Sequence, residues 1–150
     1  MRIELPIETE RLVIRPLALE DAEDLGEPEE WIRGKIDRYE RDEGMSLWAA
    51  VERDSGRAVA LAGLQWELID GRRELDLGCV VAAHAQRRGY ATEASAAIVR
   101  AAFDTGFERV TAMTALDNAA ALHVLEKLEF TAREETTFEG RRYSCFVRRR

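Results

Sequence analysis

Residues 75–94 read LDLGCVVAAHAQRRGYATEA, and this stretch decides the fold. Its first part, continuing a strand read over Glu74 to Val81, is extended. A loop with a single glycine, Gly89, follows, and then a helix opening on small residues. The first backbone N–H groups of a helix lack intrahelical partners and point outward, and the macrodipole adds partial positive charge there. A phosphate fits such an end. Gly89 lets the backbone approach a pyrophosphate closely, Ala91 keeps the first turn open, and Arg87 and Arg88 add cationic heads. The Lys-Ser/Thr pair of a P-loop is absent. On these residues alone the stretch reads either as a plain strand-to-helix connection or as a phosphate site.

The rest of the chain places this unit in a larger pattern. Arg11 to Leu17 reads as a first strand, ended near Pro16. Leu19–Leu25 and Glu29–Asp42 read as helices, the second with Trp31, Ile32, Ile36 and Tyr39 at helical spacing. Leu47–Glu52, Ala58–Ile69 and Glu74–Val81 form an antiparallel meander, with turns at Asp54-Ser55-Gly56 and Asp70-Gly71. Tyr90–Thr105 is an Ala-rich helix closed by Gly106. Arg109–Ala115 is a strand, Asn118–Leu128 a helix, and Thr131–Phe138 and Arg142–Val147 are strands around Glu139-Gly140. The order β-α-α-β-β-β-α-β-α-β-β describes one mixed α/β domain over residues 1–150. Its helix-joined strands 74–81 and 109–115 are expected side by side and parallel.

Composition narrows the function classes. The chain has 150 residues, 46% hydrophobic and 34% charged, so a packed core is expected and disorder is not. No apolar run approaches the roughly 18 residues of a membrane span, and the start, MRIELPIETE, has no basic or apolar leader region. A cytoplasmic protein is the expectation, without a membrane or nucleic-acid partner, since the net charge is −7. Cys79 and Cys145 make no metal or disulfide spacing and read as small buried hydrophobes. His84 and His123 are isolated, so no metal is expected. Residues 1–43 carry 14 acids against 7 bases, and residues 44–150 carry 15 of each. That excess reads as solvated helix faces or as a field drawing a cationic ligand.

Three motifs, in order, carry a resemblance. Gln86-Arg-Arg-Gly89-Tyr-Ala91 is similar to the Q/R-x-x-G-x-G/A signature of the GNAT superfamily of N-acetyltransferases. Asp117-Asn118 through Glu126-Lys127-Leu-Glu-Phe130 resembles its second motif, N-x-x-S/A-x-x-x-x-E-K-x-G-F. Thr9-Glu-Arg-Leu-Val-Ile-Arg-Pro-Leu17 is similar to the start of the RimJ/RimL-type branch. The resemblance implies the GNAT fold: a mostly antiparallel sheet with a parallel, splayed pair at the CoA site. It implies acetyl-CoA as co-substrate. Backbone groups of Cys79 and Val81 would pair with the pantetheine arm, the amides of Arg87 to Thr92, Tyr90 and Ala91 included, would hold the pyrophosphate, and Asn118 would bond the pantetheine from the far side. Direct transfer of acetyl to a primary amine then needs a proton acceptor but no nucleophilic side chain. Asp76, two residues before Gly78, is the first candidate base and Glu74, of the same strand parity, the second. A backbone N–H near Val81 would meet the oxyanion.

Three positions depart from the family pattern. Ala121 brings no hydroxyl. Leu125 stands where some relatives have a tyrosine acid, leaving water, Tyr143 or Tyr90 to protonate the thiolate. Glu129 replaces the glycine that ends the second helix, which predicts a strained or remodelled turn. Of the tryptophans Trp31, Trp48 and Trp66, only Trp31, in the least-matched region, is a candidate acceptor contact. The acceptor, cationic in the steering reading, could be a peptide N-terminus or a small amine. A homodimer is open, and a CoA-binding sensor that has lost turnover is the rival function.

Overall fold

Strand β3 (Ser46–Glu52) shows how the layers are set, because both of its faces are buried. Leu47 and Ala49 turn to one core, and Trp48 and Ala50 to another. Period-two alternation between two helical layers makes such a strand a continuous apolar run. A computed structural model describes residues 1–150. Its order is β1 (Ile7–Glu8), β2 (Leu12–Arg15), α1 (Asp21–Leu25), α2 (Glu29–Arg41), β3, β4 (Ala58–Ile69), β5 (Arg72–Val81), α3 (Tyr90–Thr105), β6 (Arg109–Ala115), α4 (Ala119–Lys127), β7 (Thr131–Ala132), β8 (Thr136–Phe138) and β9 (Arg141–Arg149), with a 3₁₀ turn at Ala83–Ala85 before α3.

The sheet runs β1-β2-β3-β4-β5-β6-β9-β7, with β8 also on β9. Every pairing is antiparallel except β5 with β6. Helix α3 covers one face through Ala94, Ile98 and Ala102, packed with Trp48, Leu64, Leu77 and Val110. Helices α1 and α2 cover the other through Leu25 and Ile32, with Leu47 and Leu61. Full burial of each large side chain contributes about 1.5–3 kcal/mol. Trp48 is wholly buried and its indole N–H donates to the Gly44 carbonyl at 2.9 Å.

The expected meander, Ala-rich helix and parallel pair are all present. Differences arise where tertiary partners decide. The first strand stops at Arg15, before Pro16, and gains a two-residue edge partner, β1. The expected strand 131–138 is broken into β7 and β8: Thr136 leaves the line of β7 to donate to Asp70 in the β4–β5 turn, at 2.6 Å. Strand β9 is longer than expected because β6 pairs with it over seven residues. At the end of α4, Glu129 takes a left-handed φ of 63°, the strained turn that the missing glycine predicts.

Candidate functional site

Strands β5 and β6 touch at one bridge, Asp76 with Thr111, and then diverge. The gap beyond is a cleft of about 250 Å³, walled by Leu77 and Cys79 on β5, Met113 on β6, and Asn118, Val124 and Leu125 on the α4 side. Strand β4 pairs with β5 along its whole length. The Ala82 amide donates to the Val59 carbonyl. Antiparallel ladder bonds fall on alternate residues, so the amides of Cys79 and Val81 face away from β4, into the gap. An extended ligand laid there would meet a free strand edge.

The loop after β5 ends at the head of α3. Arg87 has φ 66° and Gly89 φ 81°. No backbone acceptor in the protein takes the N–H groups of Arg87 to Thr92, and no side chain caps the helix. Arg87 and Arg88 are exposed, and the Gln86 amide donates to the Val81 carbonyl at 3.4 Å. This end is held from below by Glu93, which accepts from the Thr9 hydroxyl at 2.6 Å, the Arg11 amide at 2.9 Å and the Arg11 Nε at 2.6 Å. Tyr90 is buried: Arg11 lies 4.3 Å from its ring centre and its hydroxyl donates to Glu52. That hydroxyl is therefore committed to Glu52, and the residue offers the cleft side its backbone amide.

Asn118 caps α4, its Oδ1 accepting from the Ala121 amide at 3.1 Å, which leaves its NH₂ for a ligand. Asp76 is buried at the apex of the gap and accepts from the Thr111 hydroxyl at 2.8 Å. Burial pushes its carboxyl up to about 8; Glu67 and Glu74 push the same way, while the Thr111 bond and Arg38 pull it back. Glu74 lies on the closed side of the bridge. It is buried between Arg109, at 2.9 Å, and Arg72, at 3.3 Å. Its carboxylate is thus engaged in ion pairs, whereas that of Asp76 has a hydroxyl partner and no ion pair.

Tyr143 lines the cleft and packs edge to face on Phe138 at 6.4 Å. Burial pushes the Cys79 thiol up to about 11, where it is a poor nucleophile. The His84 ring bonds the Ala58 carbonyl at 3.1 Å, a structural contact. No three His, Cys, Asp or Glu side chains converge as metal ligands. Trp31 is exposed near the start of α2, with Lys35 Nζ 5.2 Å from its ring centre. Sequence reading missed three features: the Glu93 clamp, the Thr111 partner of Asp76, and the pair Lys35 and Arg38, which lean from α2 onto Gln65 of β4. Thr9 and Arg11 stood in a recognised motif, but their partner lies more than eighty residues away.

A family model described as "Acetyltransferase (GNAT) domain" matches residues 11–131, and the chain belongs to that family. The uncharacterized protein YkkB of Bacillus subtilis is 29% identical over 104 residues, covering 66% of this chain and 58% of YkkB. Among solved structures, an acetyltransferase from Agrobacterium tumefaciens superposes with a TM-score of 0.81 at 19% identity, covering 100% of this chain and 98% of its own. RimL in complex with coenzyme A superposes at 0.76 with 14% identity, over 97% and 98% of the two chains. The microcin self-immunity acetyltransferase MccE, in complex with acetyl-CoA and AMP, also gives 0.76, at 11% identity over 97% and 99%. These likenesses show the GNAT fold. No helix is long and apolar enough to cross a membrane.

Proposed function

We propose that the chain is an acetyl-CoA-dependent N-acetyltransferase of RimJ/RimL type that transfers acetyl directly to a primary amine. The observation that carries this reading is the joining of two unfilled backbone sites. The open edge of β5 leads into the run of unpaired amides at the head of α3. A pantetheine arm suits the first and a pyrophosphate the second. Acetyl- and coenzyme A-bound relatives with the same fold support it.

The residues divide the work. Amides of Arg87 to Thr92 hold the pyrophosphate, Cys79 and Val81 align the pantetheine, and the Asn118 NH₂ closes over it. The amide near Val81 polarises the thioester carbonyl. Asp76, once ionised, takes the proton of the incoming ammonium through water, because its carboxyl is recessed at the apex. The amine nitrogen bonds the acetyl carbon, the carbon–sulfur bond breaks, and the thiolate takes a proton. Leu125 is buried at the cleft wall and supplies none. Water or Tyr143 is then the donor. Trp31 stands where an acceptor would pass the start of α2.

Leu125 and the recessed Asp76 also favour one rival, a CoA-binding module without turnover. Thiol release from acetyl-CoA over a panel of primary amines separates the two. Amine-dependent release establishes the transferase, and a CoA-induced rise in Tm with no release establishes the sensor.

A further inference from the structure

Two cations converge on one neutral atom beside Asp76. Lys35 Nζ donates to Gln65 Oε1 at 2.9 Å, and Arg38 Nη1 donates to the same oxygen at 3.3 Å. Gln65 is the cross-strand partner of Asp76, so the two side chains leave the same face of the sheet side by side. Arg38 is neutralised by Glu67, at 2.8 Å from its Nη2, and by Asp42, at 3.5 Å from its Nε. Lys35 forms no ion pair; its other neighbour is the Trp31 ring. Lys35 alone differs from the other partly buried cations here: Arg15 and Arg109 each have a carboxylate at 2.9 Å and Arg38 has one at 2.8 Å. A half-buried ammonium whose hydrogen-bond partner is a neutral amide oxygen is an arrangement that an anion would complete.

We propose that the acceptor is a small amine that also carries a carboxylate, and that Lys35 and Arg38 receive that carboxylate in place of the Gln65 oxygen. This rests on the acetyl-transfer reading of the same site. The carboxylate docks under α2 and directs the amine toward Asp76, so the two cations select for an amino acid over a plain amine. Burial and the neighbouring Arg38 hold the Lys35 ammonium below its ordinary range, while Glu67 and Glu139 oppose this; a bound carboxylate acts with the latter. The half-buried Glu27 and the exposed Glu29 and Glu30, at the start of α2, favour a cation instead, so a polyamine is the informative competitor.

The test compares kcat/KM, by thiol release at saturating acetyl-CoA, for glycine against glycinamide, β-alanine against β-alaninamide, and spermidine. The carboxylate member of at least one pair is expected to be preferred tenfold or more. That ratio should fall toward one in Lys35→Met and persist in Lys35→Arg, with a CoA-induced rise in Tm showing that each variant is folded. Preference for the amides or spermidine, or a ratio indifferent to Lys35→Met, overturns the proposal while acetyl transfer stands. Absence of transfer to every amine, with CoA still bound, overturns both.

Discussion

Asp76 sits at the residue where two strands last touch, and its titration has two consequences of opposite sign. As a base it must lose its proton, so kcat/KM should rise with pH along a limb centred on about 8. Asp76→Asn should remove that limb and lower kcat by roughly 10²-fold. Stability runs the other way. The folded-state value lies above the ordinary range near 4. Between about pH 4 and about 8 the unfolded chain has released this proton and the folded chain has kept it. The stabilising contribution is therefore complete below about 4 and is lost as pH rises through about 8. Urea midpoints at pH 5 and 9 should fall less steeply in Asp76→Asn than in the parent; equal slopes would show that Asp76 is not the group responsible. Glu129 is the second informative residue. Its side chain is exposed and its φ is 63°. Glu129→Gly should raise stability by up to about 1 kcal/mol in denaturant unfolding, because a Cβ is disfavoured there.

At the scale of elements, α3 carries the proposed cofactor site. Its head is kept free of protein acceptors and is fixed from behind by Thr9, Arg11 and Glu93. Gly89 has room for a Cβ, whose nearest neighbour would be the Arg11 guanidinium at 3.5 Å; the positive φ is what excludes other residues. Gly89→Val should strain the loop and weaken CoA binding about tenfold, or about 1.4 kcal/mol, measured by calorimetry on the folded variant. Elements with their own periodicity, such as α3, β4 and β6, were legible in the sequence, because local pattern and global burial agree there. β1 and the break between β7 and β8 were not, since a two-residue bridge and the Thr136–Asp70 bond depend on partners distant in the chain. The loop before α3 was legible as a candidate cofactor site because a site built from backbone groups reduces to glycine, small residues and their spacing.

For the whole molecule, the charge imbalance reads differently in space than along the chain. Asp21, Asp24 and Asp42 are paired with Arg15, Arg57 and Arg41. The inward side of α2 presents Lys35 and Arg38. A count along the sequence cannot show which side of a helix meets which strand, so the placing of Lys35 and Arg38 against β4 stayed illegible. The strand order has a mechanical consequence as well. Strands β1 to β5 and strands β6 to β9 are joined within the sheet by a single bridge. CoA bound in the gap would lengthen that seam, so amide exchange at Cys79 and Val81 should slow on CoA addition, together with a rise in Tm. The metabolite is then part of the building as well as its feedstock: lifetime against unfolding and proteolysis would follow the supply of the thioester, and a starved cell would hold a looser, shorter-lived copy of the same enzyme.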